Sequence, residues 1–385
     1  MTLSLPAGTA RPPAAWGTSA AIVDGAPALE LRPVDPAEWD RVSAGFDGLC
    51  QEQTQAFAAH RWPGLAHQCF VFSRAGETVG GVLVVLQSLP LRLATVAITK
   101  WGPMLADESR PDAGALYEAM VAALVAEFSQ KRRMLLAIIP RAQADGFEHA
   151  ALTRLGFADG AGVPFPNRYI VAIHSDADAQ MAGLAQKWRY HLRKSFAAGL
   201  TFERAPAERL GEFMRLYDAM SARKQFPDHS AIATLPAMMA MPEGTGRPEL
   251  FFVRKDGAVT AGAVIFTHGR TAAYLYGATD DDALALRAGY FLHWHVMRWL
   301  AGNTRATAYD LGGSDGFEGL HQFKRGMVGS LGHISPIPPM MRIAHGLRAR
   351  ALGTLALDAR EVVHRARRSL DRLRGQTAPD QQERS

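Results

Sequence analysis

The residues best suited to chemistry crowd into 309–329, YDLGGSDGFEGLHQFKRGMVG. There Asp310, Asp315, Glu318, His321, Lys324 and Arg325 stand among six glycines. Asp310, at the expected end of a strand, could accept a proton from an attacking amine. Lys324, on so constrained a backbone, could stabilise developing negative charge or bind a phosphate, with Arg325 beside it. Gly312 and Gly313 carry no side chain, so a substrate could approach the strand end. The stretch is expected to be a hairpin closing a domain, with Phe317, Leu320 and Phe323 anchoring it to the core. The strand-to-helix setting of a P-loop is not expected.

A second set lies upstream. Arg287, Gly289 and Tyr290 fall between a strand and the start of an apolar helix, where unpaired N–H groups and an arginine suit phosphates. A third lies in 183–199, GLAQKWRYHLRKSFAAG. At 100° per residue Leu184, Trp188, Leu192 and Phe196 share one stripe. Lys187, Tyr190, Arg193 and Lys194 face the other way as an anion-binding face. His293 and His295 sit about 200° apart on a helix and cannot share an ion, so no metal is expected. G-x-S-x-G, Walker and H-E-x-x-H patterns are absent, which leaves hydrolase and P-loop chemistry unsupported.

The elements that must position these residues repeat. QCFVFSRAGETVGGVLVVLQS reads as a hairpin, LRLATVAITKWGPML as a third strand, and DAGALYEAMVAALVAEFSQK as a helix with Asp112 as N-cap. MLLAIIP, EHAALTRLGF and NRYIVAIH then give strand, helix and strand. The order returns in ELFFVRKDGAVTAGAVIFTHG, TAAYLYGATDD, the helix at 288–301 and TAYDLGG. The intervening FPDHSAIATLPAMMAMPEGTGRPE, rich in Pro, Met and Gly, is expected to be a loop bordering a site. The expected divisions are a loose tail at 1–27, domains at 28–178 and 179–338, and a basic helical tail at 339–385. Two matching α/β units imply a cleft between them.

At 385 residues, 48% apolar and 21% charged, the chain is neither disordered nor membrane-spanning in composition. The N-terminus lacks the basic start and apolar run of a secretory signal, and two cysteines support no disulfide framework, so a cytoplasmic location is expected. Residues 341–385 hold ten arginines against five acids, which equals the whole net charge of +5. Such a tail suits anionic lipid or nucleic acid.

The glycine stretch resembles the C-terminal signature of the FemAB family, with its Tyr-Asp, Gly-Leu and closing Phe-Lys-x-Gly. AGYFLHWHVMRWLAGN, TKWGPMLAD and KWRYHLRKSFAAGLTFE resemble that family's aromatic helix, first-domain Gly-Pro turn and basic linker helix. HAALTRLGF is similar to the closing helix and strand of GNAT acetyltransferases. The resemblance, over roughly 65–335, implies tandem GNAT-like domains that transfer an acyl group to an amine. The donor would be aminoacyl-tRNA and the acceptor a peptidoglycan-type precursor, with Lys324 as the functional lysine and Arg193, Lys194 and Arg287–Tyr290 approaching the donor. Acyl-CoA acting on a small amine or polysaccharide sugar is the alternative, and a non-enzymatic RNA- or lipid-binding module a third. No bound cofactor is expected. The family's long coiled-coil insertion has no counterpart in the sequence.

Overall fold

The hairpins form where β-branched and aromatic runs flank turns whose residues take positive φ. Ala66–Arg74 and Glu77–Ser88 meet across Ala75 and Gly76, and Glu249–Lys255 and Ala258–Phe266 across Asp256 and Gly257. In the computed structural model, which describes residues 19–21, 29–143, 145–160, 162, 166–224, 231–314 and 316–359, they are the centres of two mixed sheets.

In space, the first sheet runs Ser19–Ala21, Leu29–Val34, Ala66–Arg74, Glu77–Ser88, Thr95–Lys100, Leu135–Ile139, Met341–Ile343, Ala158–Asp159. The short Met104–Leu105 pairs off the fourth of these. The second runs Leu200–Ala205, Glu249–Lys255, Ala258–Phe266, Thr271–Thr279, Ala308–Asp310, Asn167–Ala172, His333–Pro336. Among the described residues each contains one parallel pair, Thr95–Lys100 with Leu135–Ile139 and Thr271–Thr279 with Ala308–Asp310. A parallel pair needs a long crossover, and a helix supplies it in both cases. Ala113–Leu124 buries Leu116, Tyr117, Met120, Val121 and Leu124, while Ala288–Asn303 buries Phe291, Leu292, Val296, Met297 and Leu300. Asp112 does not cap the first of these through its side chain. Its carboxylate is taken by Arg74 and Arg110 instead, which holds its pKa down at about 2.

The two sheets exchange a strand. Asn167–Ala172, expected to close the first unit, pairs antiparallel with Ala308–Asp310 and His333–Pro336 in the second. Met341–Ile343, expected within the basic tail, returns to pair with Leu135–Ile139 and Ala158–Asp159 in the first. A division at 178 therefore leaves one strand of each sheet on the far side of the cut. The exchanged strands are held by packing, since Tyr169 and Val171 are buried in the second core and Met341 in the first.

The space between the sheets is partly filled. Met238 and Phe266 of the second half join Trp39, Phe46, Leu49 and Phe57 of the first in one apolar cluster. Met238 belongs to the stretch expected as a site-bordering loop. Its described part instead forms the turn Ile232–Thr234 and helix Leu235–Met239, with Leu235, Met238 and Met239 buried. Arg305 reaches from the second half to the carbonyls of Ala44, Gly45 and Phe46. Of the tail, a helix over 347–359 is described. It packs so closely that a Cβ on Gly353 would meet the Leu135 side chain at 2.9 Å. Residues 360–385 of the tail lie outside the described residues.

Candidate active site

The glycine stretch is a strand, a turn and a helix. Ala308–Asp310 leaves the second sheet, Gly312 and Gly316 take positive φ (75° and 84°), and Glu318–Val328 is helical. The expected hairpin thus gives way to a strand-to-helix setting, contrary to the sequence expectation. Phe323 packs on the core as expected, but Phe317 and Leu320 stay exposed rather than sinking into it. The helix turns Lys324, Met327 and Val328 inward.

Lys324 is buried beneath the strand end. Its Nζ donates to the carbonyls of Leu311 (2.6 Å) and Gly313 (2.5 Å) and lies 3.8 Å from where a Cβ on Gly312 would stand. The lysine thereby ties the glycine turn to the helix and places a positive charge behind it.

Asp310 is not a free carboxylate. Arg168, on the exchanged strand, grips both its oxygens at 2.7 to 3.1 Å, and Gly312 N–H donates to Oδ1 at 2.8 Å. Its expected place at the strand end holds, but the ion pair ties it to holding the turn. Arg168 in turn lies over the indole of Trp101 (4.9 Å), and Lys100 lies over the same ring (4.2 Å) while pairing with Glu52 at 2.7 Å. The site is thus joined to the first domain through a seam of charges around one tryptophan. Trp101 Nε1 and Glu52 Oε2 are buried there without a hydrogen-bond partner among the described residues.

Two further polar pairs flank the turn. Tyr169 hydroxyl meets His321 Nδ1 at 2.5 Å and Ser314 Oγ at 3.4 Å. His293 Nδ1 meets the Tyr309 hydroxyl at 3.1 Å, and its ring lies 4.9 Å from that of Tyr274. Burial, helped by the Lys324 charge, pushes the His293 pKa down to about 3, so this imidazole is neutral. His295 packs apart from it, against Phe202 and Phe291.

Beside this cluster the second sheet opens. Its parallel pair makes three registered rungs, ending at Ala273 opposite Asp310, after which Thr271–Thr279 keeps only its antiparallel partner Ala258–Phe266. The matching pair in the first sheet stays zipped from Val96 to Lys100, and Trp101 N–H still reaches Ile139 O at 2.8 Å. The second sheet therefore holds an opening at its parallel pair, with Tyr274 on one side and Leu311 to Gly313 on the other.

The crossover helix begins at the edge of that opening. Arg287, in the left-handed region (φ 58°), caps it, followed by Gly289 and Tyr290. Tyr290 packs its ring against Trp188, His191 and, edge to face, Phe323, and burial raises its pKa. Trp188 and His191 belong to the linker helix Gln186–Phe196, which buries Trp188 and Leu192 and presents Lys187, Tyr190, Arg193 and Lys194 outward. Phe196, expected on the inward stripe, is 44% exposed. Lys194 lies 4.7 Å over the Tyr190 ring. The pKa of His191 is lowered by burial and by the positive charges of Arg287, Lys187 and Lys194. Asp310, Gly312, Gly313 and Lys324 therefore form one group and Arg287, Gly289 and Tyr290 another, with the linker helix bordering the second. Arg193 and Arg325 point to solvent. Sequence reading did not single out Arg168, Tyr169 or Trp101. Their available signals were a basic residue opening the strand NRYIVA and the cation before Trp101 in TKWGP.

Two mixed sheets, each with one parallel pair spanned by a helix and a strand taken from the other, give the fold of two tandem GNAT-like domains. Residues 183–325 match the family model described as an acetyltransferase (GNAT) domain. FemX has a similar structure, with a TM-score of 0.68 at 18% identity over 85% of this chain and 99% of FemX. A conserved protein of unknown function from Bacteroides thetaiotaomicron is also similar, with a TM-score of 0.50 at 10% identity over 81% of this chain and 97% of that one. No curated protein matches the sequence significantly.

Proposed function

We propose that this protein is an N-acyltransferase that moves an aminoacyl or other acyl group to an amine of a cell-envelope precursor. The observation that carries the reading is the opening of the parallel pair in the second sheet, beside a buried lysine and the start of the crossover helix. An acyl carbonyl held there lies next to backbone of residues 311–313, and donor phosphates lie at Arg287 to Tyr290. The amine nitrogen attacks the acyl carbon, and the bond to the ribose oxygen of a tRNA, or to the sulfur of CoA, breaks. The Tyr169–His321 pair takes the amine proton, and the leaving oxygen or sulfur takes one back. Lys324 keeps the turn in place and lends its charge to the developing oxyanion. Arg168 and Asp310 position that turn.

Aminoacyl-tRNA is the donor favoured by the positive charges that act on His191 and by the outward face of the linker helix. Acyl-CoA is the second reading, supported by the GNAT match over 183–325. Single-turnover transfer from charged tRNA and from acyl-CoA, each with a panel of amines, decides between them. Transfer from neither donor, with no thermal stabilisation by tRNA or CoA, overturns the reading.

A further inference from the structure

The helix over 347–359 buries one side and leaves the other uncovered. Ala349 and Gly353 face Leu135, whereas Leu347 is 82% and Leu355 66% exposed, with exposed Ala351 between them at helical spacing. Such leucines stand out on a surface helix whose own packing is complete on its inner side. Cations surround the stripe. Arg348 is exposed next to Leu347, and Arg133 and Lys131 (the latter paired with Glu127 at 3.1 Å) are exposed close to where the helix begins, with Arg133 Nε 3.6 Å from where a Cβ on Gly346 would stand. The one acid on this helix, Asp358, is paired with Arg342 at 2.7 Å. In the sequence that follows, Val362, Ala366, Leu370 and Leu373 recur at spacings of seven, four, four and three from Leu355 onward, among arginines. Within the described helix, a period of 100° per residue puts Leu347, Ala351 and Leu355 on one arc of about 80°.

We infer that the Leu347–Leu355 face is a docking surface for an anionic lipid bilayer, lying in the plane of the membrane surface. The leucines enter the boundary between headgroups and acyl chains, and Lys131, Arg133 and Arg348 meet the acidic headgroups. Charge complementarity selects this partner, because the excess positive charge of the whole chain lies in 341–385. The inference does not rest on the identity of the acyl donor or acceptor, since none of these residues belongs to the candidate active site.

Co-sedimentation of the full chain with vesicles tests it. Vesicles of phosphatidylglycerol should bind the protein at least about tenfold more tightly than vesicles of phosphatidylcholine, with binding weakened by salt. Leu347→Glu with Leu355→Glu should lower the affinity for phosphatidylglycerol about tenfold or more, while leaving the melting temperature and transfer to a soluble amine unchanged. Equal binding to both vesicle types overturns the inference, as does binding that the double substitution leaves intact. It is equally overturned if light scattering shows a dimer that the substitution dissociates, because a second copy then covers the stripe. Binding to RNA but to neither vesicle type overturns it as well.

Discussion

At the scale of residues, the candidate site depends on a buried cation and a buried ion pair that play different parts. Lys324→Ala should lower single-turnover transfer on the order of 10²-fold, the usual cost of removing one charge-stabilising donor, and full activity in that variant would remove the lysine from the mechanism. Asp310→Ala should act on stability first. It leaves Arg168 buried without its carboxylate, which costs about 3–5 kcal/mol by denaturant titration, whereas a simple proton acceptor would cost activity with stability intact. His293 sets a pH dependence. Its pKa lies below that of an unfolded histidine, so between about 6.5 and 3 the unfolded chain binds the extra proton. Its contribution is therefore complete above the unfolded value and lost as pH falls through that window, and His293→Gln should flatten the decline seen in melts from pH 7 to pH 4.

At the scale of elements, much was legible. The hairpins, crossover helices and linker helix follow from periodicity and turn residues, all of which are local signals. The conformation of the glycine stretch was not legible in the same way. Glu318–Val328 spaces Leu320, Phe323, Met327 and Val328 as a helix does, but its glycines at 319 and 326, and those just upstream, read as a turn and mask that period. The outward face of the linker helix allows a direct test. Arg193→Glu with Lys194→Glu should weaken tRNA binding at least about tenfold at low salt and flatten its salt dependence. Arg193 is exposed and Lys194 covers only the exposed Tyr190 ring, so the melting temperature should hold. Unchanged tRNA affinity would move donor recognition elsewhere.

At the scale of the whole molecule, the strand exchange is the feature that sequence did not reveal. NRYIVA is a short apolar run, with Tyr169, Ile170 and Val171 all buried, that suits a strand of either sheet, and strand partners far apart in the chain leave no local mark. Arg168 and Tyr169 were missed for the same reason, because they reach Asp310 and His321 only once the strand has crossed over. Removal of residues 339–385 should lower the melting temperature sharply and increase aggregation, since Leu135–Ile139 loses its partner on one edge. Removal of 360–385 keeps Met341–Ile343 and should leave the melting temperature nearly unchanged. Identical melts for the two truncations would show that the returning strand adds nothing.

That returning strand also sets a schedule for synthesis. Leu135–Ile139 leaves the ribosome about 200 residues ahead of Met341–Ile343, which at 5–20 residues per second is a wait of about 10–40 s. Throughout that interval the nascent first domain carries an open strand edge, and nothing that emerges before the second domain is nearly finished can close it in the native way. Each newly made molecule therefore depends on its last strand to complete its first sheet.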